Sequence, residues 1–370
     1  MLRSQAVVDF GEPLQTVEFP LPVPKGREVL IRTTFAGMCH SDVHLADGYF
    51  DMGGGAKMPV REKRPFTLGH EIEGDVTAVG PDVPSSIAIG SPFAVFPWLG
   101  CYESGCAYCG AGNANLCVSP HSTKFADGKS IYGGYGSHVL VPDYKWLLKT
   151  SDVLAPGLGA VYMCSGLTAF SAIKKTLPLP GGDRASAADL LIIGLGGLGF
   201  QAVQMAHALL GGWPVVADID EAKRRVAEQL GCTAYDPREA KAMVRAVKAG
   251  STGNDGVHAA IDFVGAESTF QLALGATRAG GKVVIVGLFG GQAKCPLPMI
   301  PLRQKAILGS MTGTFDEAQD MLNMLRERKV DPPPHHFRSI HEANAALDDL
   351  RSGKIVGRCI LRHDWDMAKI

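Results

Sequence analysis

The stretch Leu190-Leu191-Ile192-Ile193-Gly194-Leu195-Gly196-Gly197-Leu198-Gly199-Phe200 decides the fold. A short apolar run ends in glycine, and residues 198–210 then repeat apolar side chains at helical spacing. Gly194, Gly196 and Gly199 fit G-x-G-x-x-G between a strand and a helix, with Gly197 and Leu198 inside the same turn. The first glycine permits the tight turn, and the second lets backbone approach a pyrophosphate. The third lets the helix pack on the sheet, so that its N-terminus faces the phosphate charge. Asp218 closes the next apolar run, where an acid accepts hydrogen bonds from the ribose hydroxyls of NAD and repels the 2′-phosphate of NADP. The same aspartate also fits a helix N-cap, with Glu221 three residues on as in a capping box. Lys223 is a candidate to help hold the adenosine ribose, although its pattern fits a solvated helix face better.

Outward from this turn the texture alternates between strand and helix. Residues 214–217 read as a strand, 221–230 as an amphipathic helix ending at Gly231, 237–249 as a helix, and 259–264 and 282–288 as strands. That rhythm predicts a parallel sheet with helices on both faces. Residues 1–150 are β-rich instead, with short runs such as 29–35 and 73–79 between Gly and Pro signals. Beyond residue 309 come two amphipathic segments, 315–329 and 341–352, and a last strand, 357–361. No repeat or low-complexity linker interrupts the chain.

A length of 370 residues suggests two domains, and 46% hydrophobic with 20% charged residues supports large cores. The net charge of −1 and the absence of a basic stripe give no footprint for nucleic acid or an anionic membrane. No signal peptide and no membrane-length apolar run is visible, so the expectation is a soluble, cytoplasmic protein. The nine cysteines are an odd number without a secretory context, which argues for metal or catalytic thiols over disulfides. Four of them, Cys101, Cys106, Cys109 and Cys117, follow Cys-x4-Cys-x2-Cys-x7-Cys. Four thiolates so close can close a tetrahedral structural zinc site with no open position; the alternative is a redox pair beside buried free thiols.

With these features in place the chain resembles, over nearly its whole length, the zinc-dependent alcohol dehydrogenases of the medium-chain dehydrogenase/reductase family. The resemblance rests on Gly37-Met38-Cys39-His40-Ser41-Asp42-Val43-His44, Gly69-His70-Glu71, the cysteine lobe and Cys164-Ser165-Gly166-Leu167-Thr168. The glycine turn with Asp218 and the ending at residues 353–361 complete it. It implies that Cys39, His70 and Cys164 bind a catalytic zinc; singly, each would pass for an ordinary buried side chain. Three protein ligands leave a fourth position for water or substrate oxygen. The resemblance further implies that Glu71 lies close to the metal and that Asp42, alternatively a helix N-cap, orients the ligand histidine. Ser41 is expected to take the alcohol proton and His44 to pass it, through the cofactor ribose, to solvent. Thr168 and the backbone of Val286 and Leu288 match nicotinamide contacts. Arg358 matches a pyrophosphate contact or a surface charge.

Two features depart from the family pattern. Four residues separate Cys101 from Cys106 where the family usually has two, and residues 48–66, with Gly53-Gly54-Gly55, form a long loop that either borders the substrate cleft or projects as an exposed insertion. The expected architecture is α/β: a GroES-like β-rich catalytic domain from residues 1–157 and 310–370, and a Rossmann NAD-binding domain from 158–309. The expected activity is NAD-linked interconversion of an alcohol and its aldehyde or ketone, with two zinc ions per chain. The substrate is expected to be hydrophobic or aromatic, because Phe93, Phe96 and Trp98 are candidates to line the pocket. The implied assembly is a homodimer or homotetramer. The rivals are a polyol or amino-alcohol dehydrogenase and a non-catalytic zinc- and nucleotide-binding relative.

Overall fold

The computed structural model describes residues 1–101, 103, 105–118, 133–178 and 186–365. Six parallel strands form one sheet in the order Thr233–Tyr235, Val215–Ala217, Leu190–Ile193, Val257–Asp262, Thr277–Ile285 and Ala306–Gly309. The chain starts in the middle of this sheet, moves to one edge, then returns past its starting strand to the other. The central strand Leu190–Ile193 is wholly buried because both faces are covered. Leu190 and Ile192 belong to one core while Leu191 and Ile193 belong to another, the alternation that the pleat imposes. Two strands, Thr233–Tyr235 and Ala306–Gly309, and the helix Glu267–Ala276 carry no clear signal in the sequence reading.

The helix after the central strand runs Gly197–Leu210, and the next runs Glu221–Leu230 to a left-handed Gly231 (φ 110°). Its N-cap is Asp220, whose carboxylate accepts from the amides of Ala222 (2.8 Å) and Lys223 (3.4 Å). Asp218 is therefore free of the capping role that its spacing to Glu221 had also allowed.

The remaining large sheet is antiparallel in the main. It runs Leu147–Leu148, Pro92–Val95, Glu71–Val79, Val29–Gly37, Arg358–Arg362 and His335–Ser339, with His138–Val141 also on Val29–Gly37. Strands from both ends of the chain thus share one sheet. The helices Leu158–Val161 and Leu167–Thr176 lie between the two large sheets, and a single core joins Val29 and Ile31 to Leu167 and Phe170 and to Leu190 and Phe200. Residues 48–66 contain a hairpin, Tyr49–Asp51 with Lys57–Pro59. Its tip meets the loop after Thr277–Ile285: a Cβ on Gly53 would lie 2.7 Å from the backbone of Gly291. The insertion is anchored at its tip rather than projecting freely. No helix among the described residues is long and apolar enough to cross a membrane.

Candidate active site and metal centres

Cys39 is the N-cap of the helix His40–Asp47, and His70 immediately precedes the strand Glu71–Val79. Cys164 sits in a π-helical turn, Tyr162–Gly166, between two α-helices. Such a turn breaks the regular helical bonding and is frequent at functional sites. The potential ligand atoms of Cys39, His70, Glu71 and Cys164 all lie within 4.8 Å of one another. His70 Nε2 is 3.2 Å from Cys164 Sγ.

Asp42, fully buried, binds this cluster together. Its carboxylate accepts from the Cys39 amide (3.0 Å), the Gly69 amide (3.2 Å) and the Tyr135 hydroxyl (3.3 Å). It occupies the third helical position of a capping box, not the N-cap. Its nearer oxygen stands 3.8 Å from His70 Nδ1, longer than a hydrogen bond. Asp42 thus acts on His70 through charge and through the Gly69 backbone.

The electrostatics favour a cation here. Against the desolvation of its ring, the Cys39 thiolate, Asp42 and Glu71 raise His70 to about 9. Cys39 is held well below the usual thiol range, first by a hydrogen bond from Cys164 and then by the charges of His70 and Arg358. Burial raises Glu71 to about 7 although Arg358 opposes it. The negative charges that favour a proton on this imidazole would also favour a divalent cation, which must displace that proton to bind. Two thiolates and one imidazole suit Zn²⁺.

Ser41 and His44 lie three residues apart on the same helix and so share a face. Ser41 Oγ is 3.7 Å from Cys39 Sγ. The His44 ring packs on Phe50 of the hairpin, centroids 5.0 Å apart, and partial burial lowers its pKa. Trp98 lies 5.2 Å from the His70 ring and donates its indole N–H to the Met163 carbonyl (3.0 Å). Phe93 and Phe96 do not join it. Both are core residues, Phe96 stacked on Trp146 and edge-on to Phe315.

On the cofactor side, Gly194 turns at φ 91°, and a Cβ on Gly199 would overlap the Gly194 carbonyl. A Cβ on Gly196 would meet nothing within 4 Å, so this backbone faces open space before a helix N-terminus, as a phosphate requires. Asp218 sits against the turn, accepting from the amides of Leu195 (2.6 Å) and Asp220 (2.8 Å). Lys223 Nζ lies 3.9 Å from Asp220. Thr168 donates its hydroxyl to the Cys164 carbonyl (2.7 Å), linking this helix to a metal-site residue. The amides of Val286 and Gly287 are both engaged by the Asp262 carbonyl, while Leu288 is 55% exposed.

Arg358 is not a surface charge. Its side chain is 6% exposed, its guanidinium pairs with both oxygens of Glu71, and a Cβ on Gly197 would overlap its Cδ. The buried Nε has no partner among the described residues and adjoins the glycine turn, which suits a pyrophosphate oxygen.

The sulfurs of Cys101, Cys106, Cys109 and Cys117 also lie within 4.8 Å of one another. Cys101 to Cys109 measures 3.8 Å and Cys106 to Cys117 3.9 Å. A tetrahedron with Zn–S bonds of about 2.3 Å has edges of about 3.8 Å, so these separations fit a zinc cage, and the longer Cys101–Cys106 loop does not remove Cys101 from it. The backbone amides of Cys109 and Tyr108 help lower Cys106 to about 7.

Three residues of this neighbourhood escaped the sequence reading. Tyr135 reaches Asp42; its only signal is a glycine-flanked aromatic. Glu73 accepts from the Gly157 amide (2.9 Å) and so anchors the segment leading to Cys164. Thr312, at the C-terminal edge of the parallel sheet where ligands of such folds bind, holds φ at 48° with its buried hydroxyl unpartnered among the described residues.

Comparison with known proteins agrees with this geometry. Residues 25–152 match the alcohol dehydrogenase GroES-like domain, and residues 197–327 match the zinc-binding dehydrogenase family. An NAD-dependent alcohol dehydrogenase of Sulfurisphaera tokodaii is 34% identical over 368 residues, covering 97% of this chain and 99% of its own. One from Saccharolobus solfataricus is 34% identical over 374 residues, with 97% and 99% covered. Among solved structures, an alcohol dehydrogenase of Aeropyrum pernix superposes with a TM-score of 0.78 at 26% identity, covering 97% of this chain and 99% of that one. The acetophenone reductase of Geotrichum candidum, in complex with NAD, gives 0.77 at 27%, with 99% and 98% covered. The chain belongs to the zinc-dependent alcohol dehydrogenases of the medium-chain dehydrogenase/reductase family.

Proposed function

We infer that the protein is a zinc-dependent, NAD-linked oxidoreductase that interconverts an alcohol and its aldehyde or ketone. The observation that carries this reading is the convergence of Cys39, His70 and Cys164 beside an open glycine turn flanked by Asp218. These three residues would hold the catalytic zinc, with Glu71 behind them. Cys101, Cys106, Cys109 and Cys117 would hold a structural zinc. When bound, zinc supplies Lewis acidity that stabilises an alkoxide at neutral pH, and NAD supplies the hydride acceptor. Ser41, beside Cys39, would take the alcohol proton, and His44, on the same helix face, would relay it towards solvent. The glycine turn and Arg358 would hold the pyrophosphate, Asp218 the adenosine ribose, and Thr168 with residues 286–288 the nicotinamide.

We assign residues 1–157 and 310–370 to the catalytic domain and 158–309 to the NAD domain. Trp98 and Phe50 present aromatic surface near His70 and His44, which favours hydrophobic or aromatic alcohols over polyols. The edge strand Ala306–Gly309 is paired on one side only among the described residues; it carries Ile307 (40% exposed), and Leu297 (75%) and Leu302 (79%) lie in the segment leading to it. An apolar open edge of this kind suits pairing with a second copy, so the protein is read as a homodimer or a tetramer of such dimers. Nine free cysteines fit a cytoplasmic location.

The test combines elemental analysis with NAD reduction over primary, secondary, aromatic and polyol alcohols. Two zinc ions per chain with turnover of simple or aromatic alcohols support the reading. Preference for sorbitol or threonine would favour the polyol or amino-alcohol rival. Zinc and NAD binding without turnover of any alcohol would favour a non-catalytic relative.

A further inference from the structure

The last strand, Arg358–Arg362, brackets the segment that carries His70. At its start Arg358 grips Glu71; just past its end comes His363, partly buried, whose backbone amide donates to the Thr34 carbonyl (3.0 Å). His363 Nε2 lies 2.8 Å from the Gly134 carbonyl, and Trp365 donates its indole N–H to His363 Nδ1 at 2.9 Å. An indole N–H can only donate and a carbonyl can only accept. The two bonds together therefore fix one tautomer, with the ring proton on Nε2. Desolvation lowers the ring pKa to about 4, so it stays neutral at physiological pH. Trp365 itself is locked in the core that contains Met38, Leu68 and Tyr135, with the His341 ring edge-on at 4.9 Å.

The Gly134 peptide leads back to the metal site. Its N–H donates to the Gly69 carbonyl (2.6 Å), and the Tyr135 N–H donates to the Leu68 carbonyl (2.9 Å). The Tyr135 hydroxyl and the Gly69 amide both meet Asp42. No side chain can replace this backbone clamp: a Cβ on Gly134 would lie 2.9 Å from Ile72 Cγ1, and one on Gly69 would lie 2.6 Å from the Tyr135 ring. The clamp is thus held by groups outside the turn, and the donor to its outward carbonyl is His363.

We propose that His363 is a positioning residue for His70: oriented by Trp365, it fixes the Gly134 peptide, and that peptide fixes the Leu68 and Gly69 backbone from which His70 reaches the metal. The proposal rests on the reading of Cys39, His70 and Cys164 as catalytic zinc ligands.

The test uses His363→Gln, His363→Asn and Trp365→Phe in the full-length zinc enzyme and in its Co²⁺-substituted form. Glutamine can place an N–H where Nε2 stands, whereas asparagine reaches only the position of Nδ1. The readouts are the visible absorption of Co²⁺ at the catalytic site, the rate of metal loss to a chelator, and the split between kcat and KM. His363→Asn is expected to lose catalytic metal about tenfold faster, the lower end of the range for outer groups that orient ligands. Its cobalt spectrum should shift and its kcat fall at an unchanged KM for NAD, with structural-site metal loss unaltered. His363→Gln should restore wild-type behaviour, and Trp365→Phe should fall between. A wild-type spectrum and metal-loss rate in His363→Asn would overturn the proposal, as would equal impairment of the Gln and Asn variants, which would reduce His363 to packing. Should His363→Asn not fold, an unchanged spectrum in Trp365→Phe would overturn it. A wild-type protein that takes no Co²⁺ on Cys39, His70 and Cys164 would overturn the ligand assignment as well, and is distinguishable because it appears before any substitution.

Discussion

Arg358 and Glu71 form a buried ion pair that joins the two halves of the active site. The guanidinium meets both carboxylate oxygens, with side-chain exposures of 6% and 0%, and its aliphatic stem lies against Gly197. One residue therefore touches both the glycine turn and the carboxylate beside Cys39, His70 and Cys164. Removing one partner of a buried pair leaves an uncompensated charge, at about 3–5 kcal/mol. Glu71→Gln is expected to destabilise by an amount of that order in urea unfolding. The double variant Glu71→Gln with Arg358→Met should recover most of the stability, yet keep a raised KM for NAD because Nε is gone. Full recovery of KM would remove Arg358 from the cofactor site.

Cys39→Ala should lower zinc by one per chain and reduce turnover at least about a hundredfold, since a missing ligand exceeds the effect of a missing outer-shell partner. Far-ultraviolet circular dichroism should be unchanged, because the Asp42 carboxylate still accepts from the amide of residue 39 at the helix start. Retained turnover would sink the ligand assignment.

Much of this site was legible because its chemistry is tied to short-range patterns. The glycine turn announces itself through three constraints on one loop, and the helix of residues 221–230 ends at Gly231 as its pattern indicates, although its N-cap is Asp220 rather than Asp218. The metal ligands are scattered in sequence, and only the family resemblance brought them together. What was not legible depends on tertiary direction. Phe96 and Trp98 share a stretch and a face of expectation, yet one is a core residue and the other a neighbour of His70. Tyr135 meets the Asp42 carboxylate and His363 the Gly134 carbonyl, partners far away in the chain, for which composition and spacing carry no signal.

Asp218→Ser should relax the preference for NAD over NADP. The carboxylate stands beside the glycine turn, held by the amides of Leu195 and Asp220, and would repel a 2′-phosphate. The ratio of kcat/KM for the two cofactors is expected to shift about tenfold or more towards NADP, equivalent to roughly 1.4 kcal/mol. An unchanged ratio would count against its role at the ribose.

Stability should fall in acid through histidines held neutral. Desolvation first, then the charge of Arg32, lowers His138 from 6.5 to about 4. The unfolded chain binds the proton at a higher pH than the folded one does, so the contribution is fully present above pH 6.5 and is lost as pH falls towards about 4. Within that window each such group steepens the dependence by about 1.4 kcal/mol per pH unit. His138→Gln, which cannot titrate, should flatten the profile of urea midpoint against pH. A slope equal to that of wild type would show that His138 titrates alike in both states.

The apolar edge of the parallel sheet gives the last expectation. Among the described residues Ala306–Gly309 is paired on one side only, Ile307 within it is exposed, and so is Leu302 just before it in the chain. If a second copy covers this edge, Leu302→Glu with Ile307→Lys should bring buried charge to the contact and dissociate the assembly. Both residues are exposed in the single chain, so its fold and zinc content should persist. Light scattering at matched concentrations should then report the monomer mass for the double variant and at least twice that for the wild type. An unchanged multimer would move the contact elsewhere on the surface, and a monomeric wild type would leave the edge strand as an exposed feature of the single chain.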